Sequence, residues 1–247
     1  MMTPAALDRV RVVLCETSHP GNIGAAARAM KTMGLSHLVL VKPKHFPHAD
    51  AEAFASGALD VLSEAVVCDS LDAALEGTVL AVASTSRHRD LTHDVVDCRE
   101  ACQRLAADAS HGEVALVFGP ERTGLTIRDV NKCQLIAAIP ANPDYASLNL
   151  AQAVQVFAYE LRVSAAGTAP RPPRNSSEAA THQEVEGFYR QLEDVFHASG
   201  FLDPQRPKRL MQRMRRLFAR SRLEKEEVNI LRGFLRAVRD RMGGGNE

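Results

Sequence analysis

Short apolar runs alternate with helical patterns through the first two thirds of this chain. Residues 10–14, 38–41, 65–68, 78–83, 114–118 and 135–139 read as strands, most of them rich in Val, Ile and Leu. Residues 22–34, 50–57, 71–76 and 94–107 read as helices between them, with a further helix from Leu148 to about Ala165. Such alternation predicts an α/β fold: a mostly parallel sheet with helices on both faces. The punctuation agrees. Pro43 and Pro140 stop strands, because proline cannot donate to a ladder. Asn22 is a good N-cap for the alanine-rich first helix, and Gly34 a good C-cap. Thr126 with Asp129 has the spacing of a capping box.

Several classes are disfavoured. Neither G-x-G-x-x-G nor G-x-x-x-x-G-K-[ST] occurs, which argues against a dinucleotide fold or a phosphate-loop NTPase. No G-x-S-x-G supplies a hydrolase elbow. No apolar run reaches the ~18 residues of a membrane span. The N-terminus has no signal peptide's apolar segment. The five cysteines form no C-x-x-C pair and no zinc spacing. Their odd number suits a reduced, cytoplasmic protein. Cys98 and Cys102, one helical turn apart, read as packing residues, and no metal is expected.

The net charge of zero conceals an asymmetry. Residues 206–241 hold 13 Lys and Arg against 4 Asp and Glu, a net of +9, so the rest of the chain carries −9. One end is built to meet a polyanion, or an acidic surface of its own dimer. The proline-rich, small-polar stretch from Gly167 to Ser177 reads as a linker. The expected organisation is an α/β domain over 1–166, a linker over 167–180 and a small helical domain over 181–247. In the last, Thr181 with Glu184 and Ser221 with Glu224 have capping-box spacing, and Asp203-Pro204 suits a third helix start. Arg209, Arg213, Arg216 and Arg220 recur at helical spacing and are candidate RNA contacts.

Three strand ends carry the candidate site. After the last strand comes Pro140-Ala141-Asn142-Pro143-Asp144-Tyr145-Ala146-Ser147-Leu148-Asn149, a polar turn running into a helix. Open α/β sheets bind ligands at such places. The other two stretches are Asn22-Ile23-Gly24-Ala25-Ala26-Ala27-Arg28 and Phe118-Gly119-Pro120-Glu121-Arg122-Thr123-Gly124-Leu125. Each alone reads equally as an ordinary loop, and Arg28 alone as a solvated arginine. Ser84-Thr85-Ser86 at another strand end suits a turn as well as a ligand.

Together and in this order, the three stretches resemble the signature motifs of the SPOUT class of S-adenosylmethionine-dependent RNA methyltransferases. Residues 9–162 look closest to its ribose 2′-O branch. Glu16-Thr17-Ser18-His19-Pro20-Gly21-Asn22 and the 142–149 stretch look like the bacterial enzymes that methylate the ribose of nucleotide 32 in tRNA anticodon loops. The resemblance implies a trefoil-knotted methyltransferase domain, S-adenosylmethionine as cofactor, tRNA as substrate and a homodimer. It implies that Arg28 is catalytic, supported by Asn22 and Asn149. It also implies that Ser84, Thr85, Ser86, Gly119, Ile139, Ala146, Ser147 and Leu148 line the cofactor pocket. Gly119 would let the backbone approach the ligand. Arg122, with Glu121, holds either the loop or RNA. Two alternatives stand beside this reading: a ribosomal RNA 2′-O-methyltransferase, and a non-catalytic RNA-binding dimer.

Overall fold

The computed structural model describes residues 4–86, 95–167, 178–203 and 209–243. The chain divides into two compact units, Met1–Pro172 and Pro173–Glu247.

In the first unit, a 3-10 turn (Pro4–Arg9) leads into seven strands among the described residues: β1 (Val10–Cys15), β2 (Leu38–Val41), β3 (Val66–Cys68), β4 (Thr78–Ser84), β5 (Val95–Asp97), β6 (Glu113–Phe118) and β7 (Leu135–Ala138). They form one sheet in the order β3-β2-β1-β6-β4-β7-β5. Every pairing is parallel. The helices are α1 (Pro20–Met33), α2 (Ala49–Ala55), α3 (Leu59–Ser63), α4 (Leu71–Ala74), α5 (Cys98–Asp108), α6 (Ile127–Val130) and α7 (Leu150–Gly167).

Strand alternation divides the core in two. Val12, Leu14, Leu38, Leu40, Val82, Leu116 and Phe118 pack with residues of α1, α2, α3, α5 and α7 on one face. Val13, Val39, Val41, Ala81, Ala83, Ala115, Val117 and Ile136 pack with Leu71, Leu75, Leu125 and Val130 on the other. Both faces are covered, so the central strands are apolar throughout, as a buried parallel sheet requires. Cys98 and Cys102 are buried in the first cluster, and Cys102 Sγ lies 3.4 Å from Phe157 O.

The sequence reading is corrected at several boundaries. His19, not Asn22, caps α1: its backbone is extended and its Nδ1 accepts from Gly21 N at 3.1 Å. Pro20 then takes the first helical position, where no N–H is missed. Asn22 is thereby inside the first turn, with its side chain free for other bonds. The helix expected over 94–107 is shorter. Val95–Asp97 is an edge strand, and Asp97 caps α5 through Glu100 N at 2.8 Å. Two β-branched residues joined to a capping aspartate favour that split. The separate helix α3 went unread because its five residues are too few to show a period. Gly24 is a packing glycine. A Cβ there would lie 2.0 Å from Ala51 O, so α1 and α2 touch backbone to backbone.

The second unit contains α8 (His182–Ala198), α9 (Leu210–Ser221) and α10 (Lys225–Gly243) among the described residues. Phe188, Tyr189, Leu192, Val195, Val228 and Leu235 form its core. The Thr181–Glu184 capping box is present. The Ser221–Glu224 box is not. Ser221 still belongs to α9 and donates to Phe218 O, and Arg222 ends that helix with φ of 49°. Glu224 N instead donates to Glu227 Oε2 at 2.9 Å. The helix expected at Asp203-Pro204 begins only at Leu210, and residues 204–208 lie outside those described. Arg215 reaches Glu186 through two bonds of 2.5 and 2.8 Å and stacks 4.4 Å from the Tyr189 ring centroid. This arginine is therefore a packing residue.

Candidate active site

The C-terminal ends of β4, β6 and β7 surround a cleft. It is lined by Ser84, Thr85, Ser86, Phe118, Gly119, Pro120, Glu121, Arg122, Gly124, Ile139, Ala146, Ser147, Leu148, Leu150 and Ala153. All eight residues expected to meet the cofactor are in this lining, and so is Arg122, which is exposed. Phe118, Ile139, Leu148 and Leu150 give apolar walls, while Ser84, Thr85, Ser86 and Ser147 give hydroxyls. That mixture suits a nucleoside-like ligand.

The loop after β6 closes on itself. Gly124 N donates to Pro120 O at 2.8 Å, and Gly124 has φ of 66°. A Cβ on Gly119 would lie 2.2 Å from Leu125 N. The close approach at Gly119 is thus made by the loop's own backbone, a tighter constraint than the ligand approach expected from the sequence. The last loop is shaped by Asn142, whose Oδ1 accepts from Asp144 N and whose O accepts from Tyr145 N, both at 3.0 Å. This turn leaves Tyr145 80 % exposed beside the cleft. The sequence reading gave Tyr145 no role. The available signal was an aromatic residue in an otherwise small and polar turn.

Glu121 ties the motifs together. Its Oε2 accepts from Ser18 N at 3.0 Å and Ser18 Oγ at 2.8 Å. Its Oε1 accepts from His19 N at 3.2 Å and Asn22 Nδ2 at 2.9 Å. Asn22 Oδ1 in turn accepts from Asn149 Nδ2 at 2.9 Å. Asn149 Oδ1 accepts from Ala151 N at 2.9 Å and so caps α7. One carboxylate and two amides therefore hold the β1–α1 loop, the β6 loop and the start of α7 in fixed relation. Asn22 and Asn149 have their amide groups committed to this chain. They are placed to hold the site's shape, and replacing Asn149 would also remove a cap worth about 1 kcal/mol.

Burial pushes the Glu121 carboxyl upward, but hydrogen bonds from Asn22, Ser18 and its own backbone outweigh that and bring it to about 2. A carboxylate lowered on folding stabilises above its unfolded value of 4.5 and loses that contribution as pH falls toward 2. Glu121→Gln puts an amide donor against N–H and hydroxyl donors. The variant should melt below the wild type near neutrality, with the gap much narrowed at about pH 3. Melting curves at the two pH values check this, and a gap independent of pH would refute it.

Arg28 is on the exposed face of α1 and does not line the cleft. Among the described residues its guanidinium makes no hydrogen bond and no ion pair, whereas Lys31 one turn on is bound to Asp60 at 2.8 Å. Of the arginines expected on α9, Arg209, Arg213 and Arg220 are exposed, while Arg216 is half-buried with its Nε enclosed. No cluster of three or more His, Cys, Asp or Glu side chains suited to a metal occurs among the described residues. No helix among them is long and apolar enough to cross a membrane.

Comparison with known proteins accounts for both units. Residues 9–159 match the SpoU rRNA methylase family, and residues 183–247 match the C-terminal domain of the tRNA methyltransferase TrmJ. The chain belongs to the SpoU methylase family. Within that family it is 48 % identical to the tRNA (cytidine/uridine/adenosine-2′-O-)-methyltransferase TrmJ of Pseudomonas aeruginosa, over 93 % of each chain. It is also 48 % identical to the tRNA (cytidine/uridine-2′-O-)-methyltransferase TrmJ of Pectobacterium atrosepticum, over 94 % of this chain and 97 % of that one. The crystal structure of TrmJ from Z. mobilis superposes with a TM-score of 0.82 at 32 % identity, covering 93 % of this chain and 98 % of that one. In this SpoU methylase the Asn22, Glu121 and Asn149 network joins all three motifs, and the cleft lies at the strand ends that hold the second and third.

Proposed function

We propose that this protein transfers the methyl group of S-adenosylmethionine to a ribose 2′-hydroxyl of tRNA, at nucleotide 32 of the anticodon loop, as a homodimer. The observation that carries the reading is the cleft at the ends of β4, β6 and β7, with the Glu121–Asn22–Asn149 network beside it. The full-length similarity to tRNA-modifying relatives, including the Arg-rich C-terminal unit, favours tRNA over ribosomal RNA. It equally disfavours a non-catalytic binding module. Five free thiols suit a reducing, cytoplasmic setting.

The apolar walls and hydroxyls of the cleft fit the adenosine portion of the cofactor, with Gly119, Ile139 and Ser147 around it. A sulfonium methyl is already activated when bound, so alignment and exclusion of water are what the protein must add. Arg28 orients the 2′-hydroxyl and stabilises the oxyanion that develops on it. Arginine is a poor general base, because its guanidinium holds its proton in proteins. Tyr145 offers a flat face to a splayed-out base, an interaction that tolerates every base.

Arg28 stands outside its own chain's cleft, so in this reading a second copy brings it to the cofactor. Of the two apolar-rich helices α1 and α7, only α7 keeps an apolar face for such pairing. Ile23, Ala26, Ala27 and Met30 of α1 are already buried within the chain. On α7, Tyr159 and Val163 remain 53 % and 48 % exposed, with Val156 half-buried on the same helical face. Val163→Glu should shift the protein from dimer to monomer by light scattering and abolish methylation. A monomeric wild type at all concentrations would refute the dimer. The function itself is tested by methylating total cellular RNA with labelled cofactor and mapping the product. Label in ribosomal RNA, or none, would overturn the assignment.

A further inference from the structure

We propose that the loop between β2 and α2, residues 42–48, is an RNA-backbone clamp in which Lys42 and Lys44 each hold a phosphate. The proposal rests on the tRNA reading above and adds a contact surface to it. The loop reads Lys-Pro-Lys-His-Phe-Pro-His and holds no acidic residue, in a unit poor in lysine. Of the four lysines in the first unit, Lys31 is paired with Asp60 and Lys132 with Asp72. The other two are Lys42 and Lys44. Both are exposed, and neither ammonium has a hydrogen bond or ion pair among the described residues. The two uncommitted lysines of the first unit thus stand side by side on one loop.

The fold places that loop on the rim of the cleft's own end of the sheet. All strands run parallel, so the loops after β1, β2, β4, β6 and β7 emerge together. Val41 is in register with Cys15, and Leu14 with Phe118, which lines the cleft. The end of β2 is thus two strand spacings from the end of β6, about 10 Å. An RNA segment of a few nucleotides whose ribose enters the cleft spans that distance. The loop is also held in place. Lys42 N donates to Cys68 O at 3.0 Å, and Lys44 N donates to Thr17 O at 3.1 Å, next to the Ser18 that Glu121 grips. Pro43 and Pro47 restrict the backbone further, so ordering on binding costs little.

The histidines contribute less. His48 Nδ1 accepts from Asp50 N at 3.1 Å and is committed to the start of α2. The acidic groups nearest in the chain and the sheet are Asp50 and, at the two neighbouring strand ends, Glu16 and Asp69. An acidic protein segment is the competing occupant. The phosphodiester backbone is favoured because the loop shares its rim with the site that takes the ribose.

The test uses the full-length protein. Wild type, Lys42→Ala/Lys44→Ala, Lys42→Arg/Lys44→Arg and Lys44→Gln are compared for unmodified-tRNA affinity across a salt series, for KM and kcat, and for S-adenosylmethionine affinity by calorimetry. Each phosphate contact contributes roughly 0.7 to 0.9 to the slope of log affinity against log salt. The double alanine variant should lose about 1.4 to 1.8 of that slope, and Lys44→Gln about half as much. KM for tRNA should rise while kcat and cofactor affinity stay put, and the arginine variant should keep the wild-type slope. A wild type that methylates tRNA, with slope and KM indifferent to the double variant, overturns the clamp alone. Altered self-association with an unchanged tRNA slope also overturns it and assigns the loop to a protein surface. A wild type that neither binds nor methylates tRNA overturns the functional reading and the clamp with it.

Discussion

Arg28→Ala is expected to lower the rate of methyl transfer at least ~10²-fold, the scale for losing one donor that acts in the transition state. Affinity for S-adenosylmethionine should change little, because Arg28 is not among the residues lining its own chain's cleft. The fold should be indifferent too. The side chain is exposed, with no ion pair among the described residues to break. Arg28→Lys separates two roles. Lysine keeps the charge but not the planar fork. If orientation of the hydroxyl matters, the lysine variant should fall well below wild type. If charge alone matters, it should recover most of the rate. Single-turnover rates with saturating cofactor, beside calorimetric affinities, check both. Full activity in Arg28→Ala would refute the catalytic assignment.

Removal of everything after Thr168 is expected to weaken tRNA binding strongly while leaving cofactor binding intact. The residues of the cleft all precede that point. The chain outside residues 206–241 carries a net charge of −9, which repels a polyanion at long range. The second unit supplies the compensating charge. Arg209, Arg213 and Arg220 are exposed on or beside α9, whereas Arg215 is spent on Glu186. Three phosphate contacts would contribute about 2 to 3 to the salt slope, and truncation should remove that much. The competing role is stabilisation only. It predicts a lower melting temperature with an unchanged slope. Affinity of both forms across a salt series decides between them.

Much of this was legible in the sequence. The strands were readable because a buried parallel sheet needs unbroken apolar runs, as in residues 114–118 and 135–139. The C-terminal helices were readable because Phe188, Leu192, Val195, Val228 and Leu235 recur at helical spacing. The candidate cleft residues were read from motif resemblance at strand ends, and the strand order β6-β4-β7 is what makes those three ends neighbours. Local competition hid the rest. His19 and Pro20 together outcompeted Asn22 for the cap, and no periodic signal marks a five-residue helix such as α3.

The sequence by itself therefore determined the fold class, the strand ends that carry the motifs and the charge asymmetry between the two ends of the chain. Those properties are local or compositional, and a chain expresses them wherever its elements finally sit. Only the tertiary structure decided which polar groups remain available. It joined Glu121 to Ser18, His19 and Asn22 across about a hundred residues of chain, committing those donors. It enclosed Arg215 against Tyr189 and left Arg28, Lys42 and Lys44 without ion pairs among the described residues. Spacing along a chain carries no record of a partner brought near by a sheet crossover, and the presence or absence of that partner distinguishes a structural charge from one free to bind.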